Sequence, residues 1–190
     1  MLNDSKFIWM QSPDNPKVMK IMRGVPAAGK SYRAKELAGG NEDVIFSADL
    51  FFGKSVEEYV KNWSAAKLFK AHEWCQNSAR GACQKQIPLV IIDNTNTKIG
   101  EMMPYFSLAY HYDYKVEVEE PTSSWWAEIV PCLRDKAANK KKIEEFAKLL
   151  TEKNKESHCV PYEAILKMLM RYQTDIDFNV MASKFRPRVF

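Results

Sequence analysis

The sequence predicts a three-layer α/β fold, a mostly parallel sheet with helices on both faces. Three observations carry this. Strand-like and helix-like segments alternate along the chain, as in successive βαβ units. The run "LVIID" at 89–93 opens with four consecutive apolar residues, which suits a strand covered on both faces. A glycine-bounded turn separates the first apolar run from the first helical segment.

The elements follow in order. "KVMKIM" (17–22) reads as the first strand, and "KSYRAKELA" (30–38) as a helix stopped by Gly39-Gly40. "DVIFS" (43–47) is a second strand. A long helix is expected over 64–86, with Leu68, Ala71, Cys75, Ala79 and Ala82 on one face and His72 packed beside Leu68 and Cys75. "LVIID" is the third strand. "YDYKVEVE" (112–119) alternates strictly, so Tyr112, Tyr114, Val116 and Val118 face one way, as in an edge strand or one with a wet face. From 123 to 172 the chain reads as helical. One apolar stripe there is Ile143, Phe146, Ala147 and Leu150, another is Ile165, Met168, Leu169 and Tyr172, and Pro161 suits the start of the last helix.

Composition sets outer limits. With 190 residues, 46% hydrophobic and 27% charged, the chain fits one ordinary globular domain with a sizeable core. A net charge of +4 tolerates an anionic ligand but does not by itself mark nucleic-acid binding. The four cysteines lack CxxC spacing, which argues against a zinc framework and for reduced thiols in an intracellular protein, cytoplasmic or nuclear. No apolar run approaches the roughly 20 residues of a membrane span, and the N-terminus has no signal-peptide core.

Gly24-Val25-Pro26-Ala27-Ala28-Gly29-Lys30-Ser31 matches GxxxxGK[ST] between a strand and a helix. The glycines let backbone turn sharply and approach a phosphate, successive N–H groups form an anion nest, and the helix start adds its dipole. Lys30 is placed to reach the β- and γ-phosphates of ATP, and Ser31 to take a Mg²⁺ position. In open α/β sheets ligands bind beyond the carboxyl ends of the strands, where two acids fall. Asp93, ending "LVIID", is a candidate Mg²⁺ carboxylate, and Asp49, after "VIFSA", is a candidate base for an attacking hydroxyl. A helix cap or turn is the plainer reading of either. Asn94, Thr95 and Asn96 then either touch substrate or cap the helix beginning near Ile99.

Together "MRGVPAAGKS", "IFSADLFF", "AHEWCQNSARGA", "IIDNTN", "MMPYFSLA", "EEPTSSW" and "HCVPYEAILKMLMRY" resemble the P-loop polynucleotide-kinase-like domain of the NEDD-four-binding-protein-two group. More distantly they resemble the kinase-like half of cyclic nucleotide phosphodiesterase and the kinase module of bacteriophage polynucleotide kinase. The resemblance covers about 17–175. It implies a P-loop kinase fold and phosphoryl transfer from ATP to a 5′-hydroxyl of DNA or RNA. It places the phosphate cradle on Gly24 to Ser31, the general base at Asp49 and the metal- and substrate-side acid at Asp93. It also implies a helical lid over about 123–160, leaving 1–16 as a loosely held extension and 176–190 as a basic tail. The chain departs from the pattern at Ala27, where the family usually has glycine. In the lid, Lys153-Asn154 stands for an Arg-Asn pair and Cys159 for a glycine. Arg134 or Arg171 is then the expected lid cation.

Other features allow two readings. The run Arg134, Lys136, Lys140, Lys141 and Lys142 is either a phosphate-neutralising lid or a solvated helix face beside Glu144 and Glu145. Trp125-Trp126 either stacks on a base or packs a helix on the sheet. His158 falls in the lid loop as a structural residue. The rival functions are a kinase for a small hydroxyl compound such as a nucleotide or sugar, and an ATP-binding module that acts by interaction.

Overall fold

The computed structural model describes residues 6–7, 17–155 and 157–178. Its strands are Lys6–Phe7 (β1), Val18–Met22 (β2), Ile45–Phe46 (β3), Leu89–Ile92 (β4) and Lys115–Glu119 (β5), in the sheet order β1-β5-β2-β4-β3. β2 pairs in parallel with β4 and β5, and β3 in parallel with β4; β1 alone is antiparallel. The helices are Lys30–Ala38 (α1), Val56–Asn62 (α2), Leu68–Gln84 (α3), Ile99–His111 (α4), Ser124–Ile129 (α5), Lys140–Lys153 (α6) and Tyr162–Arg171 (α7). The α/β class and mostly parallel sheet are as expected.

The period-2 pattern of the strands decides the layers. Met19, Ile21, Val90, Ile92, Val116 and Val118 are buried against α3 and α4, while Met22 and Ile91 face the opposite way against Ala34 and Ala38 of α1. α3 meets the sheet through Ala71, Cys75, Ala79, Ala82 and Cys83. Side chains this small let the helix lie close to the strands, so the buried stripe is narrow. Leu68 and His72 fall on its flanks and are exposed, which corrects the expectation that both pack inward.

β5 is not the edge. β2 covers one side of it and the pair Lys6–Phe7 the other, so these two residues of the 1–16 segment are tied into the sheet rather than loosely held. Its alternating charges do form a polar face, but a paired one. Lys20, in register with Glu117, bonds it, while Lys115 reaches Glu117 at 2.8 Å and Arg33 reaches Glu119 at 3.6 Å. Burial disfavours the Glu117 carboxylate, yet the two lysines outweigh it and hold its pKa below the usual range.

The expected strand over 43–47 is reduced to β3. Asn41 accepts a hydrogen bond from the Asp43 N–H at 3.3 Å and starts a 3₁₀ turn at Glu42–Val44. Ser47 then accepts from the Asp49 N–H at 3.2 Å and bends the chain into a second 3₁₀ turn, Ala48–Phe51. The core also runs past 175, because Ile176 and Phe178 are buried within it. Lys184, Arg186 and Arg188 of the expected basic tail lie outside the described residues.

α5, α6 and α7 build the lid region. The predicted stripes Ile143, Phe146, Ala147, Leu150 and Ile165, Leu169, Tyr172 close on each other and on Trp126. Val25 and Ala28 of the glycine-bounded loop belong to the same cluster and are fully buried, so lid and loop share one apolar core. Among the described residues no helix is long and apolar enough to cross a membrane.

Candidate functional site

The site is assembled at the carboxyl ends of β2, β3 and β4. β2 leads into Gly24, whose φ of 145° is a conformation that L side chains rarely adopt. A Cβ there would also stand 3.1 Å from Pro121 Cγ and 3.2 Å from Lys30 Cγ. Its N–H donates to the Thr95 carbonyl at 2.9 Å, which ties the loop to the segment after β4. Gly29 caps α1 with φ 98°, and Ala27 adopts φ 59°. Alanine therefore does take the left-handed turn, and neighbours hold it. The Trp125 indole N–H donates to the Ala27 carbonyl at 3.1 Å, and the Ser123 hydroxyl donates to the Ala28 carbonyl at 2.8 Å. Trp125 thus clamps the loop while Trp126 packs inside the lid. Pro26 completes the turn, and Ser31 is exposed on the first turn of α1.

Lys30 is buried and its ammonium donates to the Val25 carbonyl at 3.1 Å. Burial pushes its pKa down, against the fields of Asp93 and Asp49. Asp93 is also buried, and its Oδ1 has no hydrogen-bond partner. An orphaned carboxylate oxygen near a buried cation is a group prepared for a ligand. The oxygen-only donors Asp93 and Ser31 fit Mg²⁺, and the loop around Gly24, Gly29 and Lys30 fits a phosphate. These residues would hold the metal and the phosphates of a nucleotide.

Asp49 lies on the 3₁₀ turn after β3. Its side chain is 53% exposed, and His158 Nε2 stands 3.6 Å from its Oδ2. The surrounding protein pushes its pKa up by desolvation; His158 and Lys30 pull it down, Asp93 adds to the rise, and His72 opposes it more weakly. His158 is itself set by Tyr59, whose ring meets it edge-on at 4.7 Å.

Asn94 and Asn96 do not offer their side chains to a substrate. Asn94 is buried; its Oδ1 accepts from the Ala48 N–H at 2.9 Å and its Nδ2 donates to the Tyr105 hydroxyl at 3.0 Å. It therefore anchors the turn that carries Asp49. Asn96 donates from Nδ2 to the Met22 carbonyl at 2.8 Å. Neither caps α4: there the Thr97 hydroxyl and the Lys98 N–H both donate to Glu101. Thr95 acts through its backbone carbonyl.

Arg134 is not brought to the loop. It lines a shallow cavity with Lys136, Arg171 and Tyr172 that no residue of the phosphate loop enters. Arg171 pairs with Glu101 at 3.2 Å, Lys136 donates to the Tyr172 carbonyl and Lys140 pairs with Glu144. Lys140, Lys141 and Lys142 thus form the solvated first turn of α6, while Arg134 and Lys136 lie in the turn before it. Lys153 is the cation that approaches, with its ammonium 4.2 Å from the centre of the Trp125 ring that clamps Ala27. The loop after it turns on buried Asn154, and Cys159 takes the left-handed conformation, φ 50°, that its glycine counterpart would adopt freely.

The sequence reading passed over Arg23. It is 2% exposed, donates to the Asn96 carbonyl at 3.1 Å and the Gln173 carbonyl at 2.7 Å, and lies 4.5 Å from the Tyr172 ring centre. A charge closing the run "VMKIMR" was the available signal.

Strand, glycine-bounded turn, buried lysine and orphaned strand-end carboxylate define a nucleotide-binding P-loop domain of the kinase-like type. Residues 19–173 match the AAA domain family, and the chain belongs to that family. It is 34% identical over 174 residues to human NEDD4-binding protein 2, covering 90% of this chain and 8% of that protein. It is 27% identical over 111 residues to mouse 2',3'-cyclic-nucleotide 3'-phosphodiesterase, covering 57% of this chain and 25% of that protein. The rat phosphodiesterase is 26% identical over the same length. The chain thus spans less than a tenth of the first relative and about a quarter of the others.

Proposed function

We propose that this domain transfers the terminal phosphoryl group of ATP to the 5′-hydroxyl of a nucleic acid end. The observation that carries this reading is Asp49: a half-exposed carboxylate in the field of the buried Lys30, with its pKa raised. A base of raised pKa takes a hydroxyl proton more readily. In the step, the acceptor oxygen bonds the γ-phosphorus, the bond to the ADP oxygen breaks, and the hydroxyl proton passes to Asp49. Lys30 and the loop N–H groups hold the phosphates in line. Asp93 and Ser31 would hold Mg²⁺, which would supply charge neutralisation at those phosphates. Asn94 holds the turn of Asp49, and Lys153 is the lid cation in place of Arg134. The name of the phosphodiesterase relative gives a cyclic nucleotide as substrate, which supports a nucleotide acceptor.

The test is Asp49→Asn, which keeps size and hydrogen bonding but takes no proton. Calorimetry should find near-normal ATP affinity, while transfer to a 5′-hydroxyl oligonucleotide falls about 10²-fold or more. Equal loss of both would make Asp49 a structural or metal residue. Transfer by the unaltered protein to small hydroxyl compounds alone would make it a small-molecule kinase. ATP binding with transfer to nothing would leave an interaction module.

A further inference from the structure

The surface beside Asp49 is unusually apolar. Of the eleven large hydrophobic residues exposed among the described residues, seven fall between 50 and 74. Val56 and Val60 lie one turn apart on α2 and Trp63 caps its end, exposed by 48%, 55% and 46%. Phe69, on the first turn of α3, is 79% exposed. Side chains exposed to this degree leave apolar surface in water, and their concentration in one stretch marks a candidate binding surface.

Contacts join this surface to the acceptor side of the site. Asp49 meets His158, and His158 meets Tyr59, the buried residue between Val56 and Val60 on α2. His72, whose charge reaches Asp49, lies one turn after Phe69 on α3. Phe51, from the same turn as Asp49, meets Trp74 edge-on at 6.3 Å.

Exposed rings and lysines side by side point to the occupant. Lys54, Lys61, Lys67 and Lys70 stand on this stretch between its exposed rings. Three acids, Glu57, Glu58 and Glu73, stand here as well, so the stretch is only slightly basic; Glu58 is turned to the N–H groups of Lys54 and Ser55. Exposed rings interleaved with surface ammonium groups match a single strand, which offers base faces and phosphates together. A duplex buries its base faces, so it fits less well.

We propose that the α2–α3 surface is a stacking platform for the single-stranded segment that follows the acceptor 5′-hydroxyl. Trp63 and Phe69 stack on its bases, and Lys61, Lys67 and Lys70 contact its phosphates. Placing the 5′ end at Asp49 rests on the kinase reading; binding of the strand does not.

The test is therefore first a binding measurement. Fluorescence anisotropy of a labelled single-stranded 5′-hydroxyl 12-mer with the full chain should show Trp63→Ala and Phe69→Ala each weakening binding roughly tenfold, within the range of one aromatic–base stack. Both sites are exposed, so thermal unfolding should be unchanged. In transfer assays the variants should raise KM for the 12-mer and leave KM for a nucleoside 3′-monophosphate and the ATP affinity unaltered. Undiminished 12-mer binding by the double variant would overturn the proposal and assign the face to a protein partner. Equal affinity of the unaltered chain for a blunt duplex would overturn it too. Platform-dependent binding of the 12-mer with phosphate transferred to no acceptor would uphold the platform and refute the kinase reading.

Discussion

Arg23→Met tests how the phosphate loop is held in place. The guanidinium joins three chain segments: its Nε bonds Asn96 O after β4, its Nη2 bonds Gln173 O after α7, and it starts from the residue before Gly24. Both carbonyl bonds are charge-assisted and the side chain is 2% exposed, so losing them leaves two acceptors shielded from water. At about 1.5–3 kcal/mol per bond to a charged group, with part of the stem packing kept by methionine, the loss is about 3–5 kcal/mol. The Glu120 contact at 3.4 Å adds little, because that carboxylate is 37% exposed. With a urea slope of about 2 kcal/mol/M, the unfolding midpoint should fall by about 2 M. Arg23→Lys keeps the charge without the planar fork and should recover no more than half of that. A shift below about 0.5 M for the methionine variant, on an unchanged slope, would put the network at under about 1 kcal/mol and refute the reasoning.

Two further predictions follow from the site. Transfer should fail on acidification through a pH above the ordinary carboxylate range, because desolvation raises the Asp49 pKa and the base must be ionised; His158→Ala removes a group that favours the carboxylate and should move this limb to higher pH. A pH–rate profile that stays in place, or moves to lower pH, would separate His158 from the base. Lys153→Ala should cut transfer at least tenfold by removing charge stabilisation at the phosphates, while Arg134→Ala leaves it within about twofold. The reverse order in steady-state rates would return the lid role to Arg134.

What the sequence alone determined was local. Period and composition placed the strands and helices, because an apolar run or a three-to-four spacing is a property of neighbouring residues. GxxxxGKS specified its own turn, because glycine is needed where φ is positive beside a close approach. The position of Asp93 after four apolar residues was legible for the same reason. What only the tertiary structure decided was which long-range partner each polar group found. Asn94 and Asn96 read either as substrate contacts or as caps of α4, yet their donors are taken by Tyr105 of α4 and by Met22 of β2. β5 read as an edge strand or one with a wet face, and only the pairing with Lys6–Phe7 decided between them, since hydrogen bonding across a sheet leaves no trace in either strand's alternation. His72 read as packed, because helical periodicity gives the direction of a face but not its width, and the small side chains of α3 made that face narrow. Lys153 rather than Arg134 stands beside the Trp125 ring because a charge is placed by the packing of its helix. Here that packing is the core shared by α5, α6 and α7 with Val25 and Ala28, which sets Lys153 over the ring that grips the phosphate loop.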